Sequence, residues 1–269
     1  MQRTELNLAI EWAAREGWNP GVHDADVFFP TDPHGFFLGV LGDEPIGCIS
    51  AVAYDARFGF IGFYIVRPEF RGRGFGRCIW QAATSYLGTR SVGLDGVVAQ
   101  QANYEKSGFR LAYRNVRYEG AAGGETPAGI VDLRSVPFAQ VEAYDTPLFP
   151  AARSRFLRRW ITQPESVALG IVLDGRLAGY GVVRRCRSGF KIGPLFADSV
   201  CVAEDLFRGL AARAESPLFL DTPQVNRAAV ELAERQGMRP TFETARMYTR
   251  TAPALAHERI FGITTFELG

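Results

Sequence analysis

Residues 58–76, FGFIGFYIVRPEFRGRGFG, restrict most what this chain can fold into. An apolar run rich in Phe, Ile, Tyr and Val meets Pro68, which has no amide proton, so a strand there ends near Val66. Glycines at 72, 74 and 76 follow, and they let backbone N–H groups turn toward one point with no Cβ in the way. A helix is predicted next: Ile79, Ala83 and Leu87 repeat every four residues beside Ala82 and Tyr86, and Gly88 stands where a C-terminal cap belongs. Its N-terminus adds free donors and partial positive charge at the glycine turn. No Asp or Glu lies between Phe70 and Leu94, whereas Arg71, Arg73, Arg77 and Arg90 do, so the turn is expected to hold a phosphate.

Alternatives to that expectation are a plain surface loop and two other nucleotide motifs. A P-loop needs Gly-Lys-Ser/Thr, but Gly76 is followed by Arg77 and Cys78. In a dinucleotide fingerprint the third glycine comes one residue later than Gly76 does.

With 269 residues the chain suits two domains, each able to bury a core, and 47% hydrophobic with 22% charged residues excludes disorder. A net charge of +1 gives no electrostatic reason for a nucleic-acid or anionic-membrane partner. Charges interrupt the first eighteen residues, so neither a signal segment nor a membrane span is expected there. Cys48, Cys78, Cys186 and Cys201 show no Cys-x-x-Cys spacing and the histidines are only His23, His34 and His257, so no metal site is expected and a cytoplasmic location is the default.

The rest of the chain reads in order. A helix runs from Thr4, as N-cap, to Glu16, and residues 18–35 form an irregular connection whose Trp18, His23, Asp24, Asp26 and Phe29 line a pocket or pack as a linker. Strands at 36–41 and 45–54 form a hairpin; strand 58–66, helix 77–87, strand 92–99, a short helix at 103–106 and strand 109–118 follow. Residues 121–128 have linker composition and divide a domain 1–120 from a domain 129–269. The second part repeats the pattern: helices 137–144 and 151–162, a hairpin about Asp174-Gly175, strand 190–197, helix 200–214, strand LFLD, helix 226–236 and strand TFETARMYT. Arg153, Arg155, Arg158 and Arg159 are read as a solvated helix face, and the tail segment FGITTF as docking on a sheet edge.

Arg71-Gly72-Arg73-Gly74-Phe75-Gly76 resembles the acyl-CoA loop, Arg/Gln-x-x-Gly-x-Gly/Ala, of the GCN5-related N-acetyltransferase (GNAT) family. Val66-Arg67-Pro68 before it, and Tyr104-Glu105-Lys106-Ser107-Gly108-Phe109 after it, resemble two further family elements. The resemblance implies an α/β fold of two GNAT-like domains, each a mixed, mostly antiparallel twisted sheet flanked by helices. The second half departs from the pattern: it has Gly193-Pro194 but no glycine triplet, and Ala233 stands at the place of Tyr104. That half is expected to shape the acceptor pocket or a homodimer surface without binding CoA.

The resemblance also implies chemistry: direct transfer of an acetyl group from acetyl-CoA to a primary amine of a small molecule, with neither metal nor covalent enzyme intermediate. Tyr64, Ile65 and Val66 on the strand, the loop residues Arg71, Gly72, Arg73, Gly74, Phe75, Gly76 and Arg77, and Asn103 become candidate cofactor-binding residues. A backbone N–H near Tyr64 or Ile65 would face the acyl oxygen. Tyr104 is the candidate general acid, acting by a strengthening hydrogen bond or with a pKa lowered by nearby positive charge. Asp24, Asp26, Asp55 and Asp95 are candidate bases that the sequence does not rank. A non-catalytic acyl-CoA sensor or scaffold, and acetylation of proteins, are the competing functions.

Overall fold

The computed structural model describes residues 1–269. In chain order the first half contains α1 (Leu6–Arg15), α2 (Asp24–Thr31), β1 (Phe36–Leu41), β2 (Glu44–Ala53), β3 (Phe58–Val66), α3 (Phe75–Leu87), β4 (Ser91–Val97), α4 (Gln101–Lys106) and β5 (Arg110–Gly120). The second contains β6 (Ile130–Asp132), α5 (Phe138–Asp145), α6 (Ser154–Trp160), β7 (Ser166–Leu173), β8 (Arg176–Arg185), β9 (Phe190–Ala197), α7 (Val200–Ala211), β10 (Leu218–Pro223), α8 (Arg227–Arg235), β11 (Arg239–Tyr248) and β12 (Ile260–Gly262). Each half is the mixed, mostly antiparallel sheet with helices that the sequence leads one to expect.

The two sheets are one. Strand order is β1-β2-β3-β4-β11-β5-β10-β9-β8-β7-β6, so β11 of the second half lies between β4 and β5, while β5 lies between β11 and β10. Each half thus lends its last long strand to the other, and neither closes its own sheet. Three ion pairs, buried on both sides, stitch the exchange: Arg117 of β5 to Asp221 of β10 (2.6 and 2.8 Å), Arg184 of β8 to Asp24 of α2 (2.8 Å) and Arg246 of β11 to Asp95 of β4 (2.9 and 2.6 Å). The largest apolar core also mixes the halves, with Leu6, Phe28 and Phe63 packed among Trp160, Tyr180 and Phe266.

Several local expectations change. α1 starts at Leu6 with Glu5, not Thr4, at the N-cap, although Gly17 with φ +80° does end it. The connection 18–35 holds the two-turn helix α2, whose buried Asp24 takes Arg184 as its partner. Arg153 is not part of a solvated face: it precedes α6 and forms a buried pair with Asp145 (2.7 Å), while Arg155, Arg158 and Arg159 are exposed. The tail does not dock on an outer edge. β12 pairs with β9, and the amide of Ile263 bonds the carbonyl of Asp221 on β10 (2.9 Å), so the segment fills the gap between those two strands. Residues 260–269 are buried throughout.

Candidate functional site

β3 and β4 run parallel and pair only from Phe58–Ser91 to Ile61–Leu94, although both strands continue. Beyond Ile61 they part, and a wedge opens between them. Opposite, β2 loses register: Cys48 faces Ile65 and Ser50 faces Gly62, so Phe63 and Tyr64 together oppose Ile49. That bulge holds Phe63 at φ +47°, an uncommon conformation for a bulky residue and one that re-aims the strand at the wedge.

The wedge is a cavity of about 970 Å³, at the upper end of the size range of small-ligand sites. Its outer end is lined by Val66, Arg71, Gly72, Gly76, Arg77 and Asn103. Tyr64, Ile65 and Tyr104 line the middle. The candidates thus meet at one place, except that Arg73, Gly74 and Phe75 stand outside the wall. Arg73 lies over the rings of Phe70 (5.7 Å) and Phe75 (5.1 Å).

The glycines have separate tasks. Gly72 and Gly74 sit at φ +74° and +86°, left-handed conformations that favour glycine. Gly76 permits close approach instead, since a Cβ there would lie 2.7 Å from the Tyr64 hydroxyl. Gly74 is the N-cap of α3, no side chain caps that end and its first turn carries no acid, which leaves backbone donors for an anion. Arg71 is anchored by donating through Nε to the Val66 carbonyl (2.7 Å) and pairing with Glu16. These features fit the pyrophosphate and pantetheine of an acyl-CoA.

The Tyr104 ring packs on Trp80 (centroids 5.8 Å apart) and over Gly96, where any Cβ would overlap it. Burial pushes its pKa up to about 12. The positive charge of the loop does not offset that burial, contrary to the expectation of a lowered pKa.

The inner end belongs largely to the second half and its tail: Phe242 and Thr244 of β11, then Phe266 and Glu267, with Trp18 and Phe63 from the first half. The four candidate bases are all engaged elsewhere. Asp24 holds Arg184, Asp26 holds Arg3 (2.9 Å), Asp55 accepts the amides of Arg57 and Phe58 (2.7 Å each), and Asp95, on the wall, holds Arg246 and Asn115 (2.8 Å). Sequence reasoning missed Glu267. Its one signal was an acid set in the otherwise uncharged tail segment 261–269.

The matching site in the second half is closed. β9 and β10 also part after a short parallel pairing, from Leu218–Phe190 to Leu220–Ile192, but β12 fills the opening. β9 is bulged opposite β8 as β3 is opposite β2, yet Pro194 stands in the bulge and offers no N–H. The Ser199 hydroxyl caps α7 by accepting the amide of Val202 (3.3 Å), and the neighbouring Asp198 accepts from Arg259 (2.8 Å) and Tyr144 (2.9 Å). Ala233, at the place of Tyr104, is buried.

Residues 5–109 match the model of the acetyltransferase (GNAT) family, and residues 141–262 match a second model described as an acetyltransferase (GNAT) domain. Holothin acyltransferase of Pseudoalteromonas sp. (strain SANK 73390) is 30% identical over 269 residues, 98% of this chain and 92% of its own. The crystal structure of a putative acetyltransferase from Pyrococcus horikoshii has a TM-score of 0.84 at 23% identity, covering 100% of this chain and 94% of that one. A tandem GNAT protein from the clavulanic acid biosynthesis pathway shares the fold with a TM-score of 0.63 at 14% identity over 94% and 98% of the two chains.

Proposed function

Because this chain belongs to the GNAT acetyltransferase family, with two such domains in tandem, we propose that it moves an acyl group, acetyl in the first instance, from acyl-CoA to a primary amine of a small molecule. One observation carries this reading: a single cavity runs from the glycine loop past the β3 bulge to an inner end walled by the second half. That enclosure favours a small acceptor over a protein chain.

The acyl-CoA supplies a thioester. The free backbone donors of the loop and first turn, with Gly72 and Gly76 on the cavity wall, hold its phosphates, and a backbone amide at the bulge near Tyr64 serves the acyl oxygen, where negative charge develops during attack. Tyr104 donates a hydrogen bond to the departing sulfur. With a pKa of about 12 against about 8.5 for a thiol, complete transfer of its proton would cost about 5 kcal/mol, so it acts by hydrogen bonding.

The test measures free-thiol release from acetyl-CoA across a panel of small amines, with holothin included because a relative is named for it. Amine-dependent release by the wild type and none by Gly74→Glu are the expected results. Acetyl-CoA binding with no release on any amine would favour the non-catalytic sensor.

A further inference from the structure

Glu267 is 2% exposed and lines the cavity, yet neither carboxylate oxygen has a hydrogen-bond partner. Burying such a group costs several kcal/mol unless something completes it. Its backbone carbonyl is packed on Gly62, at the start of the β3 bulge, which sets the residue beside the point where the acyl carbon is expected. Around it lie Asp24 from α2, Arg117 from β5, Arg184 from β8 and Lys191 from β9. All four have direct partners: Asp24 and Arg184 pair with each other, Arg117 with Asp221, and Lys191 with the carbonyl of Asn19 (2.9 Å), with only Nη1 of Arg184 left unpaired. Glu267 alone among the acids is left open toward the cavity, and the nearby walls, Trp18, Phe63, Phe242 and Phe266, are aromatic.

We propose that Glu267 receives the ammonium group of the acceptor and takes its proton, and that the acceptor is a compact amine with a flat, apolar body and no acidic group. This rests on the acyl-transfer reading above. An alkylamine with pKa near 10 arrives protonated at neutral pH. One N–H proton passes to the Glu267 carboxylate, and the freed lone pair forms the C–N bond. The C–S bond breaks with its electron pair going to sulfur, and a second proton from nitrogen ends on sulfur, giving amide, free thiol and protonated Glu267. Burial raises the Glu267 pKa above the ordinary carboxylate value against the pull of Lys191, Arg184 and Arg117, which brings it closer to that of the amine it deprotonates.

The experiment compares wild type, Glu267→Gln and Glu267→Asp on the panel amine that releases thiol fastest, from about pH 6 to about pH 10. Glu267→Gln is expected to lower kcat/KM for the amine about 100-fold at neutral pH and to move the rise of rate with pH from the carboxylate up to the amine, so that activity returns only where the amine is already neutral. Its affinity for acetyl-CoA stays unchanged, and Glu267→Asp keeps part of the rate. Unchanged amine kinetics in Glu267→Gln, or lost acetyl-CoA binding, would overturn the assignment while leaving acyl transfer intact. Absence of amine-dependent release in the wild type would overturn both.

Discussion

Tyr104 shows how a residue's surroundings choose between two roles that its chemistry permits. Packed on Trp80 and over Gly96, its phenol has a pKa pushed up to about 12, and the proposed reaction therefore uses it as a hydrogen-bond donor. Tyr104→Phe is therefore predicted to lower kcat about 10- to 100-fold with acetyl-CoA affinity unchanged, and the loss should not vary with pH below about 10. Steady-state kinetics with calorimetric CoA titration check this; a loss that appears only above a pKa near neutrality would contradict it. Tyr104 and the loop glycines were legible in the sequence because their signals are local: positive φ demands glycine, and the motif spacing is short. Glu267 was not, because what marks it is the lack of a partner, a property created only when the tail reaches Gly62. Asp95, Asp221 and Arg246 lay between these cases. Asp95 and Asp221 are each the lone charge of their strand, which announces a buried partner without naming it, whereas Arg246 shares β11 with Arg239 and Glu243.

Among the elements, the two parallel pairs β3/β4 and β9/β10 begin alike and part alike, and the connection from strand to helix separates their fates. Eight residues, rich in glycine and arginine, separate β3 from α3, whereas two residues with a capping serine and an aspartate separate β9 from α7. The sequence disclosed this contrast, since it needs only the presence or absence of glycines. It did not disclose that β12 fills the second wedge, because FGITTF has strand composition and composition does not name a neighbour. The tail then continues from the filled wedge to the open one. Gly62→Ala tests that path: its Cβ would overlap the Glu267 carbonyl, so stability should fall by about 1–3 kcal/mol and KM for the amine should rise, with acetyl-CoA affinity retained. Thermal denaturation alongside amine kinetics reads both, and wild-type values of each would contradict the packing.

For the whole molecule, the exchange of β5 and β11 makes one body of what reads along the chain as two domains. Pattern and period found the strands, but pairing between halves is a long-range choice that alternation alone leaves open. In the proposed function this gives a division of labour: the first half would hold the acyl donor, and the second, its own wedge closed, would wall the acceptor end. No helix is long and apolar enough to cross a membrane. The central claim is that this tandem chain has one acyl-CoA loop, at residues 71–77. Isothermal titration with CoA tests it most directly. One site per chain is predicted, lost in Gly74→Glu, where a side chain at φ +86° adds strain and negative charge at the phosphates. Two sites per chain, or one that persists in Gly74→Glu, would contradict it.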